Sequence, residues 1–199
     1  MEVKRIPFEI HLTVEASADE DVVRFMEVCL LNNGKPLLIE LSRGDYAHQP
    51  MFSSVIHAAS LEQALISSRA YIQSFTKNSF PVKRLKIEVP SVHAADAVYM
   101  VRESFKPYYE WHGKVNYERV PELIALCEKH RVHLSLNALR GESTRRFVTL
   151  RDFDTEQIFN TRVANLKKEL NEQNWYILKE QSEFCIYDDN IVLDNGWLV

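Results

Sequence analysis

The sequence is short of the residues that build linkers, cross-links and membrane spans. Its 199 residues include five glycines, seven prolines and three cysteines. So little glycine and proline leaves no room for a long flexible linker or a collagen-like stretch. Cys29, Cys127 and Cys185 lie too far apart for a disulfide framework, and no Cys-x-x-Cys occurs that would hold zinc. Three reduced, buried thiols are therefore expected. No run of about 18 apolar residues is present, which excludes a transmembrane helix, and Met1–Pro7 lacks the apolar stretch of a secretory leader. Neither sign of charge dominates. The 24 basic and 28 acidic side chains leave a net charge of −4, which argues against a surface built for phosphate backbones. The phosphate loop, the dinucleotide fingerprint and Gly-x-Ser-x-Gly are missing too, excluding the common nucleotide-binding and α/β-hydrolase chemistries. A cytoplasmic protein is expected, without a nucleic-acid or membrane partner.

What is present is an internal correspondence. Phe8-Glu-Ile-His-Leu-Thr-Val14 lies over Tyr109-Glu-Trp-His-Gly-Lys-Val115 at an offset of 101. Val22, Phe25, Met26 and Cys29 then match Val120, Leu123, Ile124 and Cys127 at 98, and Ile39–Gly44 matches Leu136–Gly141 at 97. Phe52 with Phe147, Phe80 with Trp175 and Glu88 with Glu183 follow at 95. The slow drift is what loops produce when they lose a residue while the elements keep their lengths.

Each half reads in the same order. Phe8, Ile10, Leu12 and Val14 alternate with Glu9, His11, Thr13 and Glu15, the period of a half-buried strand. Ser17–Glu20 has the spacing of a capping box, and Val22, Phe25, Met26 and Cys29 form a helical stripe. Strands are expected at 37–41, near 52–56 and at 85–89, with a helix through Leu61–Phe75. The second half gives strands near 108–115, 133–139, 146–151 and 176–187, and helices near 118–130 and 155–172. The fold expected is α+β: a tandem duplicated ferredoxin-like βαββαβ repeat packed as one pseudo-twofold unit. Residues 1–92 form its first repeat, 93–107 a connector, and 108–199 the second repeat with a tail docked on the body.

If helices cover the apolar face of each sheet, the opposite face takes Glu9, His11, Thr13, Lys86 and Glu88. In the second half it takes Glu110, His112, Lys114, His133, Ser135, Asn137 and Glu183. First and fourth strands should be neighbours, so His11 can meet Glu88 and His112 can meet Glu183. Glu and His two residues apart on a strand point the same way, the geometry an acid–base pair or a metal site requires. His11, Glu88, His112 and Glu183 are the candidate metal ligands. Glu9 and Glu110, together with Arg43 and Arg140 at matching Arg-Gly turns, are candidate ligand-binding residues.

Two short patterns resemble known families. His11-Leu-Thr13-Val14 and His133-Leu-Ser135-Leu136 resemble the His-x-(Ser/Thr)-x tetrads of the 2H phosphoesterases. That resemblance implies two general acid–base histidines, His11 and His133, with Thr13 and Ser135 holding a phosphate. The tetrads of that family occupy equivalent strands, whereas the correspondence here sets His11 opposite His112. His11 with Glu88 and His112 with Glu183 are similar to the metal ligands of the vicinal oxygen chelate, or glyoxalase-like, superfamily, which implies a divalent metal cofactor. The repeat of that family is βαβββ, one helix short of the order read here. The expectation carried forward is a protein that binds a small molecule or a protein partner on its polar sheet faces, with a homodimer formed edge to edge. The alternative is a metal-dependent or phosphoester-acting enzyme.

Overall fold

The computed structural model describes residues 4–16, 19–140 and 143–197, apart from the side chains of Asp19, Glu20 and Arg140. Ser17 and the Glu20 side chain of the expected capping box, and the Arg140 side chain, lie outside the described residues. The elements run β1 (Ile6–Val14), α1 (Asp19–Leu31), β2 (Lys35–Leu41), β3 (His48–Ala58), α2 (Leu61–Lys77) and β4 (Val82–Pro90). A connector holds the short α3 (Ala94–Ala97) between two 3-10 turns. Then come β5 (Tyr108–Asn116), α4 (Val120–His130), β6 (His133–Asn137), β7 (Arg145–Asp152), α5 (Glu156–Glu172) and β8 (Lys179–Asp188). A last 3-10 turn spans Ile191–Asp194. Local chemistry starts the two long helices. The Ser60 hydroxyl accepts from Gln63 N at 3.3 Å, and the Gln63 amide oxygen accepts from Ala59 N at 3.0 Å, closing the first turn of α2. Thr155 caps α5 in the same way.

The tandem ferredoxin-like arrangement is overturned by the strand pairing. All eight strands form one closed antiparallel barrel in the order β1-β3-β2-β6-β7-β5-β8-β4. Two open sheets would leave β2, β4, β6 and β8 as edges with unpaired backbone groups. Instead β2 pairs with β6 through Ile39↔Asn137, Glu40↔Leu136 and Leu41↔Ser135. β4 pairs with β8 from Lys86↔Asp188 to Pro90↔Glu183, with a register shift between Ile87 and Glu88. Strand twist bends each sheet until its edges meet those of the other. The strand edges through which a homodimer was expected are therefore used up within the chain.

Closure creates two kinds of interior. Outside the barrel wall lie two apolar cores. Phe8, Ile10, Leu12, Phe25, Phe52, Phe75, Phe80 and Ile87 pack in the first, and Trp111, Val115, Leu123, Leu150, Phe159, Leu166 and Trp175 in the second. Full burial of side chains this large stabilises the fold by roughly 1.5–3 kcal/mol each. The halves fill the same space differently: a Cβ at Gly113 would stand 2.0 Å from the Trp111 ring, so glycine there makes room for the indole. All three cysteines are free and buried. Among the described residues, no helix is long and apolar enough to cross a membrane.

Inside the barrel lies the other interior, and here the expected face of β2 is corrected. Leu37, Ile39 and Leu41 do not join a helix-covered core; they line the lumen. In a closed barrel the wall opposite the polar strands needs some apolar surface of its own, and β2 supplies it.

Candidate functional site

Alternate residues of a barrel strand point inward, so the period of two that marks each strand also selects the lumen. β1 contributes Glu9 and His11, and β4 contributes Arg84, Lys86 and Glu88. β5 contributes Glu110, His112 and Lys114, and β8 contributes Lys179, Gln181 and Glu183. With Leu37 and Ile39 of β2, Met51 and Ser53 of β3, Ser135 and Asn137 of β6, and Phe147 and Thr149 of β7, they enclose a cavity of about 270 Å³.

One end of the lumen is plugged. Arg84 donates to Asp188 through Nε (2.9 Å) and to Asp194 through Nη1 (3.1 Å) and Nη2 (3.0 Å). Arg151 donates through Nε to Glu110 (2.6 Å) and through Nη2 to Asp194 (2.7 Å), while the Tyr108 hydroxyl donates to Asp188 (2.7 Å). Asp194 thus anchors the tail across the barrel, and Trp197 beyond it is buried against His133, ring centres 5.5 Å apart. At the opposite end the lumen residues Lys35, Lys179, Glu180 and Gln181 are exposed, which makes that end the mouth. Lys114 and Lys179 are cross-strand partners there. Glu180 at the same end is held by Lys167 (2.7 Å) and the Trp111 indole (2.9 Å).

Between plug and mouth sit two corresponding clusters. In the first, His11 Nε2 lies 3.1 Å from Glu88 Oε2 and 3.8 Å from Glu9 Oε1. Ser53 donates to Glu9 at 2.7 Å. Lys86 Nζ stands 2.5 Å from Glu110 Oε2 and 2.7 Å from Glu88 Oε1, the latter close enough for an ion pair though out of line for a hydrogen bond. In the second, His112 Nε2 lies 3.5 Å from both Glu110 Oε2 and Glu183 Oε2, and its Nδ1 is 2.9 Å from the Thr149 hydroxyl. The ladder registers agree pair for pair: Glu9↔Glu88 with Glu110↔Glu183, and His11↔Lys86 with His112↔Gln181. Gln181 thus stands where the first cluster has a lysine. Its amide donates to Glu183 Oε1 at 2.7 Å and to Glu9 Oε2 at 3.3 Å, bridging the two clusters.

That exchange sets the charges. Burial would raise Glu88, but Lys86 and His11 overcome it and hold the carboxyl down at about 2. Glu183 has no lysine; burial and the neighbouring Glu88 and Glu9 raise it above the usual carboxylate value. Glu110 is held well below that value, because Arg151 and Lys86 outweigh its burial. Burial opposes the charge on both imidazoles, yet the hydrogen bonds His112 donates to Glu110 and Glu183 lift it to about 10, and Glu88 lifts His11 above its usual value.

The six residues His11, Glu9, Glu88, His112, Glu110 and Glu183, expected on the open faces of two sheets, come together in one lumen. Ser135 also lines it, while Thr13 is buried on β1 beside Arg84 in the ladder. His133 sits elsewhere, three strands from His11 around the barrel, with Arg43 donating to its Nδ1 at 3.2 Å. The two His-x-(Ser/Thr)-x tetrads are therefore not brought together, and Arg43 serves His133 rather than the cavity. Arg84, Arg151, Gln181 and Thr149 were missed, although each continues the period of two through Lys86, Glu183 or Phe147. Asp188 and Asp194 carry no such signal. The ligating atoms of Glu9, His11 and Glu183 all lie within 4.8 Å of one another, so these three could hold a metal.

No family model matches the sequence, and no curated protein matches it. Among solved structures the chain is similar to a candidate monooxygenase from Fusobacterium nucleatum, at 11% identity and a TM-score of 0.37 over 100% of this chain and 99% of that one. It is similar to a second from Lactobacillus acidophilus (10%, 0.36, covering 98% and 99%). A third likeness is to chlorite dismutase from Candidatus Nitrospira defluvii (14%, 0.32, covering 94% of each). At these scores the likeness carries nothing about chemistry, and the site stands on its own residues.

Proposed function

We propose that the protein binds a small organic anion in the barrel lumen. The observation that carries the reading is the division of the cavity wall. Leu37, Ile39, Met51 and Phe147 give one side an apolar surface, Glu9, His11, His112 and Glu183 line the other, and Lys35, Lys114 and Lys179 lie toward the mouth. An apolar wall with a few fixed polar groups is the usual composition of a small-molecule site. The volume, about 270 Å³, falls just under the common range of about 300–1,000 Å³ and suits a ligand near the size of a substituted benzene ring. Lys35 and Lys179, both exposed at the mouth, favour the entry of a carboxylate or another anion.

Benzoate, benzyl alcohol and benzylamine separate the contributions of ring and charge. The expected result is that benzoate raises the melting temperature most, benzyl alcohol less and benzylamine least, since stabilisation follows affinity for the native state. Ile39→Trp, which fills the cavity, should remove the benzoate effect while the fold persists. Equal effects of all three compounds, or a benzoate effect unchanged in Ile39→Trp, would overturn the reading.

A further inference from the structure

Three residues of the polar cavity wall also converge on one another. Glu9 and His11 on β1 and Glu183 on β8 present their ligating atoms within 4.8 Å of one another. They come from strands that do not pair, because β4 lies between β1 and β8. Gln181 holds the two carboxylates together, its amide donating to Glu183 Oε1 and Glu9 Oε2. A second, independent observation concerns the imidazole. His11 is only 7% exposed, yet its buried Nδ1 has no hydrogen-bond partner. A buried ring nitrogen without a partner is costly unless something else satisfies it. Its other nitrogen, Nε2, is 3.1 Å from Glu88 Oε2. Nε2 also lies 3.8 Å from Glu9 Oε1, so the ring stands between two carboxylates, and a carboxylate beside a ligating histidine is the usual device that orients it.

We propose that Glu9, His11 and Glu183 form a divalent metal site, with Glu88 positioning the imidazole beside it. Two carboxylate oxygens and one imidazole nitrogen suit a first-row ion such as Mn²⁺ or Zn²⁺; a calcium site would be all oxygen and a thiophilic site would use cysteine. Three protein ligands leave positions open toward the cavity, as in sites where a metal meets water or a substrate. At bond lengths of about 2.1 Å the ligating atoms would stand about 3–3.5 Å apart, so the side chains draw together by rotation when the ion enters. The site does not depend on the organic anion.

Untagged protein, treated with a chelator and dialysed, is titrated by calorimetry with MnCl₂ and with ZnCl₂ alone. One ion per chain is expected, with a dissociation constant below about 10 µM for at least one metal. His11→Gln and Glu183→Gln should each weaken binding by at least about a hundredfold, since loss of a ligand exceeds the 10–100-fold typical of an outer partner. In the unaltered protein, Mn²⁺ should broaden the imidazole signals of His11 before those of His48, His57 and His93, a readout that needs no variant to fold. Failure of both ions to bind up to about 1 mM, affinity unchanged in both variants, or broadening that spares His11 would each overturn the site. A negative result with benzoate leaves all three readouts standing.

Discussion

His11 and His112 occupy corresponding places in the two halves of the barrel, each with a glutamate two residues before it and another across the ladder. Their surroundings nevertheless differ in kind. Lys86 lies across the ladder from His11 and Gln181 across from His112. The lysine neutralises Glu88 and reaches over to Glu110, tying these three residues into a network of opposite charges. The glutamine offers Glu183 a hydrogen bond but no charge, and Glu183 keeps a raised affinity for its proton. Exposure follows the same division: the His11 side chain is 9% exposed and that of His112 27%. The Lys86–Glu88–Glu110 side of the lumen is thus built as structure, bonded on into the Arg151–Asp194 plug. The other side is left available for exchange. Similar strands can diverge in this way through a single inward position.

The largest expected effect comes from making the first cluster like the second. Lys86→Gln leaves Glu88 and Glu110 buried with a cation removed, and loss of one member of a buried ion pair costs about 3–5 kcal/mol; urea denaturation should show it. A smaller loss is expected where the halves fill their outer cores differently. Ile10 and Leu12 in one half correspond to Trp111 and Gly113 in the other, and Gly113→Ala should lose about 1–3 kcal/mol by overpacking against the indole. Smaller again is Gln181→Ala, about 1 kcal/mol, because the amide is exposed and water can replace part of what it donates. The last effect is one of slope, and it contrasts the plugged end with the open one. Burial and the Arg43 guanidinium lower His133 to about 4, so the folded protein keeps it neutral where the unfolded chain, with its usual value near 6.5, takes up a proton. Stability from this group is therefore complete above about pH 6.5 and falls as pH drops toward 4. His133→Gln should flatten that part of a urea-midpoint profile against pH, and an unchanged profile would contradict the assignment.

Much of this was legible in the sequence, for a local reason. The period of two along each strand sorts side chains by face whatever the sheet does next, so Glu9, His11 and Glu88 in one half, and Glu110, His112 and Glu183 in the other, were separated from the helix-covered side of their sheets. What that face looks onto depends on contacts far apart in the chain. The pairing of Ile39 with Asn137 and of Lys86 with Asp188 turns an open face into a lumen, and an alternating strand looks the same in either arrangement. Leu37, Ile39 and Leu41 were one available clue, since their apolar side forms lumen wall rather than core. The plug had no clue of that kind. Asp194 lies in a short 3-10 turn, and its partners Arg84 and Arg151 stand 110 and 43 residues away.

The central claim is that Lys86 against Gln181 makes two corresponding carboxylates unlike. Carbon-13 titration of the glutamate carboxyl groups in chelator-treated protein tests it most directly. The account predicts that Glu88 stays ionised down to about pH 2, while Glu183 takes up its proton above the usual carboxylate value. In Gln181→Lys the Glu183 midpoint should fall toward that of Glu88. Coincident titration of the two carboxyls in the unaltered protein, or a Glu183 midpoint that the new lysine leaves in place, would contradict it.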